Sequence, residues 1–320
     1  MAGKKRSKKA EDDDLEAVNL PPIFADPIGA EKALFELGKI LDQQDFSSEK
    51  ELNDFLQNLI VRGQPLPSLA PSTPLEEAQE VMYEAWTTLS PTRRIKLAKK
   101  ALSISKDCAD AYVLLAEESA KSFPEAIRLY EQGVAAGERA IGLDEFQEYV
   151  GVFWGVLETR PYMRAREGLA SALWAMGDTE AAIDHFQDML RLNPDDNQGI
   201  RYYLLSLYLE AENDAALQEL LKRYKNDYSA QWFYTQALVA FRKYGDGIRS
   251  SKKLRAALDY NPFVPPYLLG RKRLPKEQGP YISPGNEDEA IDYASDGLRF
   301  WHETPGALDW LRTTVDKSNP

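Results

Sequence analysis

Cysteine and histidine are nearly absent from this chain of 320 residues: Cys108 is the one cysteine, and His185 and His302 are the two histidines. A single cysteine excludes an intramolecular disulfide and a cysteine-based zinc site. A histidine paired with a cysteine or an aspartate for nucleophilic catalysis must approach it to about 3 Å, and the two histidines lie far apart with no local partner, so no catalytic residue is expected. Phosphate-cradling loops of the GxGxxG or GxxxxGK[ST] type are missing. The acidic stretch NPDDNQGIRYYL, residues 193–204, runs into a helix without the closing glutamate of a calcium loop. Neither metal nor cofactor is expected. No apolar run reaches the roughly 18–20 residues of a membrane span; VGVFWGVLE, residues 150–158, is the longest candidate and is bounded by charge. The opening MAGKKRSKKAEDDD has no apolar stretch behind it, so a cytoplasmic protein is expected. The basic run Lys4–Lys9 adds a nuclear address if the source is eukaryotic.

What the chain has in excess is acid. Fifty-one Asp and Glu stand against 39 Lys and Arg, a net charge of −12, which disfavours nonspecific binding to a phosphate backbone. The exception is Lys4, Lys5, Arg6, Lys8 and Lys9, followed at once by Glu11, Asp12, Asp13 and Asp14. Opposed charge blocks of this kind read as a solvated, disordered tail over residues 1–18.

Helical periodicity then takes over. Ala30, Leu34, Leu37, Ile40 and Leu41 share one face of a first helix. Leu52, Phe55, Leu56, Leu59 and Ile60 line a second, opened by a Ser48/Glu51 capping box. This predicts a helical hairpin over residues 19–61, and the proline-rich RGQPLPSLAPSTP, residues 62–74, reads as a linker. From residue 75 to 320 helical segments follow one another without strand signals. The clearest unit is GLASALWAMGDTEAAIDHFQDMLRLNP, residues 168–194. Leu169, Ala170, Leu173, Gly177, Ala182, Phe186 and Pro194 keep the spacing that two antiparallel helices of a tetratricopeptide repeat need to interlock. Related units are read around Tyr112, Leu115, Ala116, Ala126 and Tyr130, around Ile200, Tyr203, Leu204 and Ala216, and around Phe233, Ala237, Leu254 and Pro262. Residues 134–160 interrupt the period as an extended helix with an inserted loop. Asn286 and Glu289 are read as a capping pair opening an atypical helical cap. The expected fold is therefore all-α, an irregular tetratricopeptide-like α-solenoid with a small N-terminal hairpin and a noncanonical C-terminal cap.

An array of this kind implies a binding surface. The segment ETRPYMRAREG, residues 158–168, places Arg160, Arg164 and Arg166 around Tyr162 just before the clearest unit, and Arg201 and Tyr202 recur one unit later. Arginine grips carboxylates through two parallel hydrogen bonds, and tyrosine offers rigid contact area. Arg160, Tyr162, Arg164, Arg201 and Tyr202 are thus the candidate peptide-binding residues, with an acidic segment among the fitting partners. The alternative that these arginines pair with the abundant acids of the array stays open. On the binding reading, Arg164→Glu should spare the fold, whereas Phe186→Ala should damage it.

Four blocks carry a resemblance beyond the generic repeat: DCADAYVLLAEES (107–119), EAIRLYEQGVAAGERAIG (125–142), NPFVPPYLLGRKRLP (261–275) and GNEDEAIDYASDGLRFWHETPGALDWLR (285–312). In this order and at these intervals the chain resembles the suppression-of-tumorigenicity protein family and its soluble tetratricopeptide relatives, over roughly residues 80–313. The resemblance implies the helical repeat domain and attaches no catalytic activity. Animal members of that family carry membrane spans ahead of this region. The expected function is a noncatalytic adaptor holding a peptide or protein segment on the concave face of the array. The alternative is a nucleic-acid-associated repeat protein using the basic tail and the same arginines.

Overall fold

The computed structural model describes residues 27–62, 69–277, 279 and 282–318. The charged tail 1–18 and residues 63–68 of the proline-rich linker lie outside the described residues. Sixteen α-helices and no strand are found among the described residues, as the sequence pattern requires. The chain divides into two compact units, Met1–Lys106 and Asp107–Pro320, a boundary that falls inside the 75–320 stretch.

The first unit holds α1 (Pro27–Asp42), α2 (Glu49–Arg62), α3 (Pro74–Thr87) and α4 (Pro91–Ile104). Proline opens α3 at its first position, where no amide is needed, and the Thr73 hydroxyl accepts from the Glu76 amide at 3.1 Å. Ala78, Met82 and Ala85 of α3 and Ala98 and Ala101 of α4 are fully buried, so the two helices pack closely across small residues. The α1 face departs from the expected stripe: Ile40 is buried, Leu34 is exposed, and Glu31 and Glu36 are buried instead. Those carboxylates accept from the Tyr83 hydroxyl at 3.5 Å and the Leu69 amide at 3.2 Å, which is what makes their burial tolerable. The Ser48/Glu51 box is also altered. Glu51 donates its amide to Ser48, but its carboxylate accepts from Ser47, one residue earlier.

The second unit is a succession of helical hairpins. α5 (Ala109–Ser119) pairs with α6 (Phe123–Ile141), α8 (Arg160–Ala175) with α9 (Thr179–Leu192), α10 (Ile200–Glu210) with α11 (Asp214–Arg223), and α12 (Ala230–Tyr244) with α13 (Ile248–Tyr260). Each hairpin packs on the next, and every second helix after α6 starts behind a polar cap or a glycine. Asp178 accepts from the Ala181 amide at 3.2 Å, and Asn213 accepts from Ala216 at 3.1 Å. Gly177, at φ +87°, supplies the left-handed turn that ends α8 and lets Asp178 take the cap. The 134–160 interruption is a long α6 followed by the short α7 (Leu143–Glu148) and two 3-10 turns at Phe153–Gly155 and Leu157–Thr159. Buried Phe153 pins this insert, packing edge-on to Phe146 at 4.8 Å, with Tyr162 next to both. The Gly151 amide ties it to the Leu192 carbonyl of α9 at 2.9 Å.

α6 and α8 cross at glycine. A Cβ on Gly168 would lie 2.1 Å from Tyr130 Cε1, so the buried Tyr130 ring occupies the place of a side chain. Gly168→Ala is expected to destabilise the second unit by about 1–3 kcal/mol, overpacking outweighing the gain in helix propensity. In a Tyr130→Leu background the same change should cost much less; equal costs in urea melts of the two backgrounds would refute the contact as the cause.

The C-terminal part closes the stack. α14 (Val264–Leu268), α15 (Glu287–Glu303) and α16 (Ala307–Ser318) pack on one another, and α15 touches both α12 and α10. Reaching back past its immediate neighbour is not the pattern of a regular stack, in which each repeat meets only the adjacent ones.

Candidate functional site

The arginine–tyrosine residues sit on the first helices of the hairpins, as their spacing predicts, but each is occupied from within. Arg164 on α8 sends Nε and Nη2 to the two oxygens of Asp110 on α5, at 2.8 and 2.7 Å, and Asp110 is completely buried. Arg201, at the start of α10, lies between Asp227 at 2.6 Å and Asp196 at 2.9 Å, with its guanidinium 4.4 Å from the Tyr202 ring. Burial opposes its charge, but the hydrogen bonds to Asp227 and Asp196 outweigh that and hold its pKa above the ordinary arginine value. Tyr202 donates to Asp227 at 2.8 Å. Arg160 donates to the Trp154 carbonyl at 2.9 Å and stacks over that indole at 5.1 Å. Tyr162 is 1% exposed, and its hydroxyl accepts from Arg166 at 2.7 Å. Arg166 also bonds Asp188 and donates to Nδ1 of His185 at 3.3 Å.

Among the described residues, then, the structure brings Arg201 and Tyr202 together, places Arg160 and Arg164 at opposite ends of one turn of α8, and buries Tyr162. Arg164 and Arg201 are spent on carboxylates of the same chain, and Arg160 on the Trp154 carbonyl. Arg164→Glu, which looked harmless in the sequence, must therefore be revised, because it would strip a buried aspartate of its counter-ion.

Carboxylates and a cavity remain on this side of the hairpins. Glu167 on α8 accepts from Gln198 at 2.8 Å and from the Tyr203 hydroxyl at 3.2 Å. Desolvation raises its pKa despite those bonds, and desolvation, followed by repulsion from Glu118 and Asp110, raises that of Glu117. A carboxyl group with a raised folded-state pKa binds protons more tightly in the folded state, so its contribution to stability falls as pH rises from the ordinary glutamate value of about 4.3 through the folded value. Glu167→Gln is thus expected to lose less stability than the wild type as pH rises above about 4.3, the ordinary glutamate value. Parallel urea midpoints with identical slopes would refute it.

The cavity, about 410 Å³, opens between α10, α12 and α15. Leu205, Leu209, Leu238 and Phe300 form its apolar part; Glu289, Asp292 and Asp296 line it, and no lysine or arginine does. Asp292 is half-buried and accepts from Gln231, and its pKa is raised by desolvation first and then by repulsion from Asp296 and Glu289. Asp296 is exposed at the mouth. Thr235 also lines the cavity at 1% exposure, beside the Tyr293 phenol, without a hydrogen bond of good geometry for its Oγ1.

Glu289 shows what the periodicity could not. Read as half of a capping box with Asn286, it is instead 3% exposed and accepts from the amides of Gly285 (2.8 Å) and Ala230 (2.9 Å), from Asn261 Nδ2 (3.0 Å) and from the Tyr260 hydroxyl (3.1 Å). One carboxylate thereby joins the start of α12, the end of α13 and the start of α15. Asn261 in turn receives the Phe263 amide at 3.0 Å and donates to the Asn286 carbonyl at 2.9 Å. Tyr267 donates to Glu287 at 2.7 Å. The NPFVPPYLL and GNEDEAIDY blocks, distant in sequence, are one hydrogen-bonded junction.

A family model described as ST7 protein matches residues 70–319, from α3 through α16 and across that junction. The chain belongs to the ST7 family. Its relatives include the suppressor of tumorigenicity 7 protein-like of Rattus norvegicus, 31% identical over 264 residues, which are 75% of this chain and 47% of that protein. The Homo sapiens protein of the same description is 30% identical over 75% of this chain and 45% of its own length. The ST7 homolog of Drosophila melanogaster is 30% identical over 75% of this chain and 49% of its own. The chain thus spans about half the length of these ST7 relatives. No solved structure matches it significantly. Among the described residues no helix is long and apolar enough to cross a membrane, and no group of three or more His, Cys, Asp and Glu could hold a metal ion. Cys108, buried at the start of α5, has its thiol pKa pushed up to about 12, by desolvation above all, which keeps it a poor nucleophile.

Proposed function

We propose that this ST7-family chain is a noncatalytic adaptor whose tetratricopeptide-like hairpins hold a protein or peptide segment against the first-helix side of the stack, in the cytoplasm. The observation that carries the reading is the cavity between α10, α12 and α15, where an apolar lining meets carboxylates that no basic residue of the lining neutralises. Pockets of a few hundred Å³ with a mostly apolar wall and a few placed polar groups are where segments and ligands are held. A side chain with an apolar stem and a cationic head suits this one, and phosphate is repelled by it. Arg160, Arg164, Arg201 and their tyrosines serve the surface in this reading by fixing its walls.

A photo-crosslinking residue in place of Ser206, which lines the cavity, tests it. Capture of a polypeptide by the full chain, lost on Asp296→Lys and absent when the photo-crosslinking residue stands instead at Ser251 on α13, outside the cavity, is the expected result. Capture of nucleic acid, no capture, or capture indifferent to Asp296→Lys would overturn the reading.

A further inference from the structure

A second cavity, about 380 Å³, lies between α11, α12 and α13. It shares α12 with the first one but uses another stripe of that helix: Gln236, Val239, Ala240 and Lys243 here, against Gln231, Thr235 and Leu238 there. Its floor is apolar, with Leu221 at 8% and Val239 at 4% exposure. Its rim is Lys222, Lys225, Lys243 and Lys253, and no aspartate or glutamate lines it.

In a chain where acids outnumber bases 51 to 39, four lysines without a lining carboxylate are a segregated patch. Their hydrogen bonds leave the charge in place. Lys243 donates to the neutral amide oxygen of Gln218 at 3.4 Å, and Lys253 donates to that of Gln236. Lys222 meets Glu219 only at 3.8 Å with both side chains more than three-quarters exposed, a pairing of little energetic weight. The lining Tyr244 reports the same field. Arg249 and Lys243 lie 5.0 and 5.5 Å from its ring, and a hydrogen bond from Arg249, with the charges of both cations, holds the phenol below its ordinary pKa.

We infer that this α11–α12–α13 groove is a docking surface for an acidic polypeptide segment carrying apolar side chains. The apolar residues reach the floor, and the carboxylates meet the rim lysines. A polypeptide is favoured over an anionic lipid surface because a flat headgroup layer meets the rim but cannot enter between the helices to the Leu221 and Val239 floor. The site is independent of the cavity under α15. It also relocates the acidic-partner preference: Arg164 and Arg201, which suggested it, are paired with buried carboxylates of the same chain, whereas no carboxylate lines this groove.

The test is fluorescence anisotropy of the full chain with a labelled peptide of leucines flanked by glutamates, beside its lysine-for-glutamate counterpart. Binding of the glutamate peptide alone is expected, weakening with salt and about tenfold or more on the double substitution Lys225→Glu, Lys253→Glu. Asp296→Lys, in the other cavity, should leave it unchanged, so failure here is separable from failure of the adaptor reading. Both lysines are exposed, and an unchanged melting curve should show the fold intact; if it shifts, the milder Lys225→Gln, Lys253→Gln pair gives the same reading. No binding of the glutamate peptide, or equal binding by the double variant, overturns the inference. So does lysine-dependent uptake by phosphatidylserine-containing vesicles with the peptide ignored.

Discussion

Arg164→Glu is expected to unfold the second unit or leave it barely stable. Asp110 has no exposed side-chain surface, and Arg164 is only 17% exposed. The bidentate pair holds α8 against α5. Removing one member of a buried pair costs about 3–5 kcal/mol, because the other charge stays buried without compensation. Glutamate adds repulsion, since Asp110 and Glu117 already disfavour negative charge there. Stability of a domain this size is itself only about 5–15 kcal/mol. Two controls isolate the cause. Arg164→Lys should be intermediate, since an ammonium cannot make the forked contact. Arg164→Leu combined with Asp110→Asn should recover much of the loss, because buried pairs replaced together by less polar groups are often near neutral. Denaturant melts of all four proteins check this; a cost for Arg164→Glu within about 0.5 kcal/mol of zero, the range of ordinary surface changes, would sink it.

Phe186→Ala is expected to cost about 3–5 kcal/mol. The ring is fully buried in α9, beside buried Ala182 and Met189, and stacks on Tyr203 of α10 at 4.9 Å with an interplanar angle of 4°. Its loss opens a cavity at the interface between two successive hairpins, where no single helix can relax to fill it. The consequence spreads to Tyr203, whose hydroxyl is one of the two donors to Glu167. Phe186→Leu, which keeps most of the volume, should cost appreciably less. A calorimetric transition unmoved by Phe186→Ala would remove the hairpin interface from the account.

Several parts of this architecture are legible locally. The 168–194 unit forms α8 and α9 because its small residues, Gly177 turn and Asp178 cap act within a few residues of one another, and such short-range signals survive any tertiary context. Tyr130 and Ala182 are buried as their spacing implies. The positions of Arg160, Arg164 and Arg201 on first helices were likewise readable from helical period. Their partners were not. Asp110 lies 54 residues from Arg164, and Asp227 lies 26 from Arg201. A chain with this many acids offers too many candidates for sequence to choose among. The Glu289 junction failed in the opposite way: NEDE matches a local capping pattern, and a buried set of donors from three helices overrode it.

The two cavities were equally out of reach. Each draws its lining from three helices and depends on which stripe of α12 faces which neighbour. The first exists only because α15 contacts α10 as well as α12, and Glu210 of α10 is tied to Arg299 of α15. The all-helical class and the family are legible without the structure, because they rest on periodicity and contiguous blocks. Tertiary structure alone decided that the arginines are spent internally, that Glu289 is a buried junction, and that unneutralised lysines gather beside α12. Charge pairing acts across folded distance and is blind to separation along the chain.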